Sequence, residues 1–475
     1  MESSPSFFTL IRSSVRTRVL ATFFIVVWAI IGIVLLTIEP LYFFIWCLAL
    51  ICVIFFASFA ITALYAMAIF HPFLELQMVY GSFNVPFVDM IGLFAFIGWT
   101  IRTVFTLVDA PSAWKHIRWW GAPLFCAWII VACISAFRVP VDQLLSLKYV
   151  LRPLGFFYLI FVFFPLNIIQ SKKTLHYLLY ILFGVSIVIA LYGLYGFGLS
   201  FINPNIPRRV SPVSLFGFTP LGGSHNMISD SMIVTIPIGL YLLSKVRKIQ
   251  HQKWIFLGLL LMISTTLFTF SRTGWLALLI ELFIFIIFEF RCHIQKMIRY
   301  TLATFFIILP VVLYMFYFSF GTEIVSSSIY NRSLLNDVAW EMFRDAPFFG
   351  TGPGTFMTHV SLNHIYIVEF GAPLDAHGFI QKVGGELGLF GLIIYIGLLA
   401  YVVYTIYHAY RLVRMKEGEE TDAFLLLSLL LLACGSIFTQ LFQTSYFVGK
   451  IWFPLGIAVA GALLMQKKYS LKRNG

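Results

Sequence analysis

Charge is what this chain has least of. Charged residues make up 11% of its 475 positions and hydrophobic ones 60%, with a mean hydropathy of +0.93. A soluble globular domain carries about a quarter charged residues, so the composition excludes one and describes a polytopic membrane protein. A heptad run, a low-complexity tail and a convincing internal repeat are also lacking. The six cysteines, Cys47, Cys52, Cys126, Cys133, Cys292 and Cys434, lie in or beside apolar runs with no CxxC pair. That pattern suggests neither a metal knuckle nor a disulfide framework, and they read as small packing residues. Arg12, Arg16 and Arg18 precede a long apolar stretch that has no small-residue cleavage site, which reads as a retained first span rather than a removed signal peptide.

What charge there is leans positive, with a formal net charge of +12. The lysines and arginines fall mostly in short loops between apolar runs, as topology signals do. The excess therefore speaks for the anionic surface of a lipid bilayer and against a nucleic-acid partner.

A span needs about 20 apolar residues. The runs fall near 19–38, 41–70, 86–106, 119–138, 149–168, 174–200, 228–245, 254–270, 273–290, 301–320, 386–408, 423–441 and 448–465. The basic loops 245–253, 291–299, 411–416 and 467–473 belong in the cytoplasm. Segments 201–228, the turn Ser271-Arg272-Thr273, 321–385 and 443–450 then lie on the far side. By the same count 102–118 and Lys172-Lys173 are cytoplasmic and 138–152 is external. This alternation puts the basic N-terminus on the wrong face. Run 41–70 is the misfit: it hides a second crossing or a re-entrant turn near 57–62, or one early segment does not cross. The expectation is an all-α polytopic membrane protein with both ends inside and about twelve to fourteen spans. It forms one membrane domain over 1–475, with 321–385 inserted as a large external lid.

That lid has internal order. Leu334, Leu335, Val338, Met342 and Phe343 recur at three and four, with Asp337, Glu341 and Arg344 between them, which predicts an amphipathic helix of about four turns on the bilayer surface or the bundle mouth. Pro347, Gly350, Gly352, Pro353 and Gly354 end it in a turn.

Several residues stand out for chemistry. Arg272 occupies the shortest far-side turn, where a guanidinium is costly without an anionic partner. It calls for a distant carboxylate or a bound phosphate, although position alone also suits an arginine reaching the headgroups. Arg208 and Arg209 are out of place in a far-side loop, and a guanidinium fork matches phosphate oxygens two at a time; headgroup contact is the plainer reading. His377 stands just before the chain becomes apolar again, and histidine is the side chain suited to take a proton near neutral pH. Glu386 could orient partners, though an acid near a helix N-terminus is its ordinary reading. Lys148 and Arg152 could join a phosphate site. His225 and Asn226 read as capping or packing groups, and Asp230 as a helix cap. Glu281, an acid in mid-span, reads either as a protonated packing group or as a polar contact between helices.

The segments FTFSRTGWLALL, then R-x(7)-W-x(6)-P-F-F-G-T-G-P-G-T-F from Arg332 to Phe356, then AHGFIQKVGGELGLFG resemble the signatures of the O-antigen ligase superfamily, which includes polysaccharide polymerases and bacterial protein O-oligosaccharyltransferases. The likeness runs from Arg208 to Gly391. It implies a metal-independent C-type glycosyltransferase of the bacterial inner membrane, without cofactor, acting at the periplasmic or outer face. The donor would be a glycan on a polyprenyl diphosphate such as undecaprenyl diphosphate. The acceptor would be a hydroxyl on a lipopolysaccharide core, a growing glycan or a protein. By motif position Arg272 would hold the diphosphate, with the Arg208-Arg209 pair, Arg209 favoured, as its second arginine. His377 would activate the acceptor. Gly378 departs from the family's usual Asn, Ser or Gln after the histidine. Arginines that stabilise the leaving diphosphate and a histidine that takes the acceptor proton make a single, inverting displacement. The far-side loops show no carboxylate pair at a recognisable spacing for a covalent intermediate. A transporter or flippase of lipid-linked glycans is the rival from another class; it would show internal symmetry and broken helices near the bilayer midplane.

Overall fold

The computed structural model describes residues 14–80, 83–139, 143–203, 206–215, 217–289, 323–416, 419–443 and 449–471. Arg12, the basic loop 291–299, the expected span 301–320, part of the 443–450 turn and Arg473 lie outside them.

Helix dominates, as expected of a chain whose backbone amides must be satisfied inside a bilayer. Among the described residues nine helices are long and apolar enough to cross a membrane. The first, α1 (Val15–Ile38), opens on a reciprocal cap between Ser14 and Thr17, a device contributing about 1 kcal/mol. Glu39 interrupts the helix, and Pro40 restarts it as α2 (Pro40–Ser58), at the position where a missing amide hydrogen costs nothing. The problematic run 41–70 does break where expected. Phe59 leaves the helical region at φ −128°, ψ 54°, and α3 (Ala60–Phe70) follows as a separate short helix.

A two-stranded antiparallel hairpin, Gln77–Tyr80 with Phe83–Pro86, then turns the chain. Sequence reading had no place for it. It leads into α4 (Phe87–Asp109) and α5 (Ala122–Phe137). Next, α6 (Gln143–Arg152) continues through a wide π-helical stretch, Pro153–Phe163, into α7 (Phe164–Ile168), making one spanning element. Three long helices come after it: α8 (Lys172–Leu199), α9 (His225–Lys245) and α10 (Ile249–Phe268). The following helix, α11 (Arg272–Glu289), carries three charged residues, Arg272, Glu281 and Glu289.

Beyond the undescribed segment come α12 (Glu323–Asp345), α13 (Phe356–Leu362) and α14 (His364–Phe370). The predicted amphipathic helix is present within α12 and is longer than expected. Leu335, Val338 and Met342 are buried, but against Phe356, Val360, Tyr366 and Ala376, in a small core of the excursion's own. The chain closes with α15 (Phe379–Arg414), α16 (Glu420–Thr439) and α17 (Gly449–Leu471).

The centre of the bundle is where α9, α15, α16 and α17 meet, with α16 touching α9, α11, α15 and α17. Lipid is as apolar as leucine, so lateral packing here rests on close fit and polar contacts rather than on water exclusion. One such fit fixes the glycine-rich turn after α12 onto α15. Leu389 and Phe390 donate backbone hydrogen bonds to the carbonyls of Pro347 (2.8 Å) and Phe348 (3.2 Å). Thr351 and Gly352 donate to Gly385 (3.1 Å) and Glu386 (3.0 Å). These bonds require the backbone to leave the helix at Gly388, where φ is +66° and ψ −163°. A β-carbon there would lie 2.5 Å from the carbonyl carbon of Phe348, so only glycine allows the two chains to touch.

Candidate active site

The site is assembled at one end of the bundle, and the turn between α10 and α11 is its anchor. Ser271 caps α11: its hydroxyl accepts from the Gly274 amide at 3.2 Å and donates to the Asn226 side-chain oxygen at 2.8 Å. Asn226 lies in the first turn of α9, whose own cap is Ser224, accepting from the Asn226 amide at 3.3 Å. The arginine loop is pinned to the same place, since the Val210 amide donates to the Phe268 carbonyl at 2.8 Å. Further along, the Val213 amide donates to the Tyr192 hydroxyl of α8 at 3.0 Å. Two hydrogen bonds thus carry Arg209, His225 and Arg272 from three parts of the sequence to one bundle end.

A further arginine joins them. Arg332, in the excursion helix α12, lies within electrostatic reach of Arg272, and its charge also acts on His225 and His377. Arg209 acts on His225 in turn. Burial lowers the pKa of Arg209, and burial followed by the Arg272 charge lowers that of Arg332. A guanidinium stays charged regardless, so the direction marks crowded positive charge rather than neutralisation. The Nε atoms of Arg209 and Arg332 are both buried without a hydrogen-bond partner among the described residues. A half-buried cluster of guanidinium groups with unused donors is suited to bind an anion with several oxygens. Its sign is wrong for a divalent cation.

His377, in the loop before α15, is exposed and lies within electrostatic reach of Arg332. Loss of surrounding water, then the charge of Arg332, lowers its pKa below the ordinary histidine value, while Asp375 pulls the other way. The backbone on either side is held firmly. Ala376 is fully buried in the small core of the excursion, and the Phe379 amide donates to the Gln440 carbonyl at 3.0 Å. The Tyr395 hydroxyl, 2.5 Å from the Gln440 side-chain oxygen, braces the same corner. Gly378 has a packing reason here: a β-carbon on it would stand 2.3 Å from the Leu441 carbonyl oxygen.

The remaining candidates divide clearly. Arg208 is exposed, next to Arg209 but outside the charges that meet at Arg332. Glu386 is fully buried and structural. Its carboxylate accepts from the Phe356 amide at 3.2 Å and lies 3.8 Å from Lys382, while its carbonyl accepts from Ser135 at 2.8 Å. Lys148 is exposed on α6, and the charge of Arg152 acts on Asp89 at the start of α4. Asp230 is not a cap. It forms a buried ion pair with Lys450 of α17 at 2.6 Å and accepts from Gln443 at 2.8 Å, one turn beyond His225. Glu281 packs against Gly435 of α16, where a β-carbon would come 2.1 Å from its carboxylate.

Sequence reading noted Arg332 only as the first residue of a motif and gave Asp375, Lys382 and Lys450 no role. Nothing local marks Arg332, which sits on an amphipathic helix among other charges. Its signal was the spacing to Trp340 and the glycine turn.

Residues 257–396 match the family model described as O-Antigen ligase. That stretch contains Arg272, Arg332, His377 and Glu386 and leaves out Arg208, Arg209, Lys148 and Arg152. No curated protein matches the chain.

Proposed function

Starting from a multi-pass membrane protein that carries an O-antigen ligase segment, and so an enzyme of glycosyltransferase type acting on lipid-linked glycans, we propose a specific reaction. The protein moves a glycan from a polyprenyl diphosphate to an acceptor hydroxyl at the periplasmic or outer face of a bacterial inner membrane. What supports this reading is that hydrogen bonds tie the Arg209 loop and the first turn of α9 to the Arg272 turn, while Arg332, within reach of the Arg272 charge, also acts on His377.

The chemistry follows from charge. As the bond between the anomeric carbon and the diphosphate breaks, negative charge grows on the leaving oxygen. Arg272 and Arg332, with Arg209 beside them and Arg208 at the rim, stabilise that charge from positions set before the reaction begins. They supply what a metal ion would otherwise supply. His377 takes the proton of the incoming hydroxyl, a contribution of roughly 10²–10⁴ in rate. A pKa below the ordinary histidine value keeps its ring neutral and able to accept a proton at neutral pH. One displacement from the face opposite the diphosphate inverts the anomeric centre. The 323–378 excursion acts as a lid, since it brings both Arg332 and the histidine loop to arginines carried by the bundle.

The test is reconstitution in liposomes with a lipid-linked glycan and a panel of acceptors, followed by sizing of products. A ladder identifies a polymerase and a single adduct a ligase. His377→Ala is expected to abolish transfer and retain donor binding; robust turnover by that variant would rule out the base.

A further inference from the structure

Lys382 is the least expected group near the site. It lies one turn into a membrane helix with a side chain 2% exposed, where an unpaired ammonium would be prohibitively costly. Two carboxylates answer it. Its Nζ donates to Asp375 Oδ1 at 2.6 Å and Oδ2 at 2.5 Å, and Glu386 Oε1 lies 3.8 Å away on the next turn. The same Asp375 Oδ1 accepts from the Ala376 amide at 2.9 Å. The carboxylate is therefore held by its own backbone and by a buried lysine, two residues before His377. One positive and two negative groups leave this triad with a net negative charge, against the positive cluster of Arg209, Arg272 and Arg332.

We propose that Asp375 is the positioning residue for His377, and that the buried Lys382, anchored by Glu386, fixes the Asp375 carboxylate at the imidazole's side of the site. This rests on the reading of His377 as the base. A base beside Arg332 has a difficulty: the guanidinium that helps stabilise the leaving diphosphate also opposes the imidazolium formed when the acceptor proton arrives. Asp375 offsets that opposition, and its fixed geometry keeps the ring's loop in register with the arginines. The charged groups acting on His377 are Arg332 from α12 and Asp375 from its own loop; Lys382, from α15, acts through Asp375. Glu386 serves two elements at once. It anchors Lys382 and holds the Phe356 amide, so the glycine turn and the histidine loop are set by one buried network.

Asp375→Asn keeps the shape and the oxygen that accepts from Ala376 but removes the charge. In reconstituted full-length protein, donor KM should stay within about twofold while kcat falls about 10- to 100-fold, the scale by which loss of an outer partner lowers activity at metal-bound histidines. The acid limb of the kcat profile should move to lower pH, because Arg332 then acts on His377 without opposition. A merely structural role would not move that limb. Asp375→Glu keeps the charge and displaces the carboxylate, so its limb should stay with wild type while kcat falls. Wild-type kcat and limb in Asp375→Asn, or wild-type kcat in Asp375→Glu, would overturn the proposal. His377→Ala separates the two levels. If it still turns over, the base assignment fails; if it is inactive while Asp375→Asn behaves as wild type, only the positioning role fails.

Discussion

The two N-terminal helices and the two helices α9 and α17 are built for opposite surroundings. Val15–Ile38 and Pro40–Ser58 are the most apolar of the four, yet only 11% of each spanning stretch is buried. His225–Lys245 and Gly449–Ser470 are the least apolar, and 78% and 83% of their spanning stretches are buried. Between these two pairs the more apolar helices are the ones left facing outward. The interior is where a polar side chain finds partners, so it is where polar side chains are kept. The buried ion pair follows the same division, with Asp230 on α9 and Lys450 on α17.

Three substitutions probe that contrast, in order of expected effect. Arg332→Gln should lower kcat for glycan transfer by roughly 10²–10³, the usual consequence of removing one pre-placed donor to developing negative charge. It should also move the acid limb of the profile to higher pH, since the charge that disfavours the His377 imidazolium is gone; steady-state kinetics across pH reads both. Unchanged kinetics would detach the excursion helix from the site. Lys450→Met should destabilise the fold by about 3–5 kcal/mol, because it leaves Asp230 as a buried carboxylate without its counter-charge. Adding Asp230→Leu should recover most of that loss, as measured by thermal unfolding in detergent. If Lys450→Met were no less stable than wild type, polar contacts would not be holding the inner helices. Phe44→Leu, at a side chain 66% exposed on α2, should change stability by less than about 0.5 kcal/mol. A larger change there would mean that the outer pair is packed against protein rather than solvated by lipid.

Much of this was legible in the sequence for identifiable reasons. The break in the 41–70 run was visible because a single helix of that length overshoots the membrane. The helix in the excursion was visible because its apolar spacing is helical. Gly350, Gly352 and Gly354 announced a turn, although not that the turn would lie against its own downstream helix, backbone to backbone. The hairpin at 77–86 was missed because it lies in a short stretch between apolar runs where no hydropathy pattern marks a strand. Asp230 was read as a cap because only its position in the chain was known; its partner Lys450 is on the last helix.

Chain composition alone settled the solvent. Too little charge for water and apolar runs of membrane length leave helices in a bilayer as the outcome, because no other spacing of these residues satisfies the backbone there. Only the folded chain decided the site. A guanidinium, an imidazole or a carboxylate acquires its role from charges a few ångströms away. Arg209 and Arg332 come within electrostatic reach of His225, and Arg332 of His377, through contacts such as Val210 to Phe268, which no local pattern encodes.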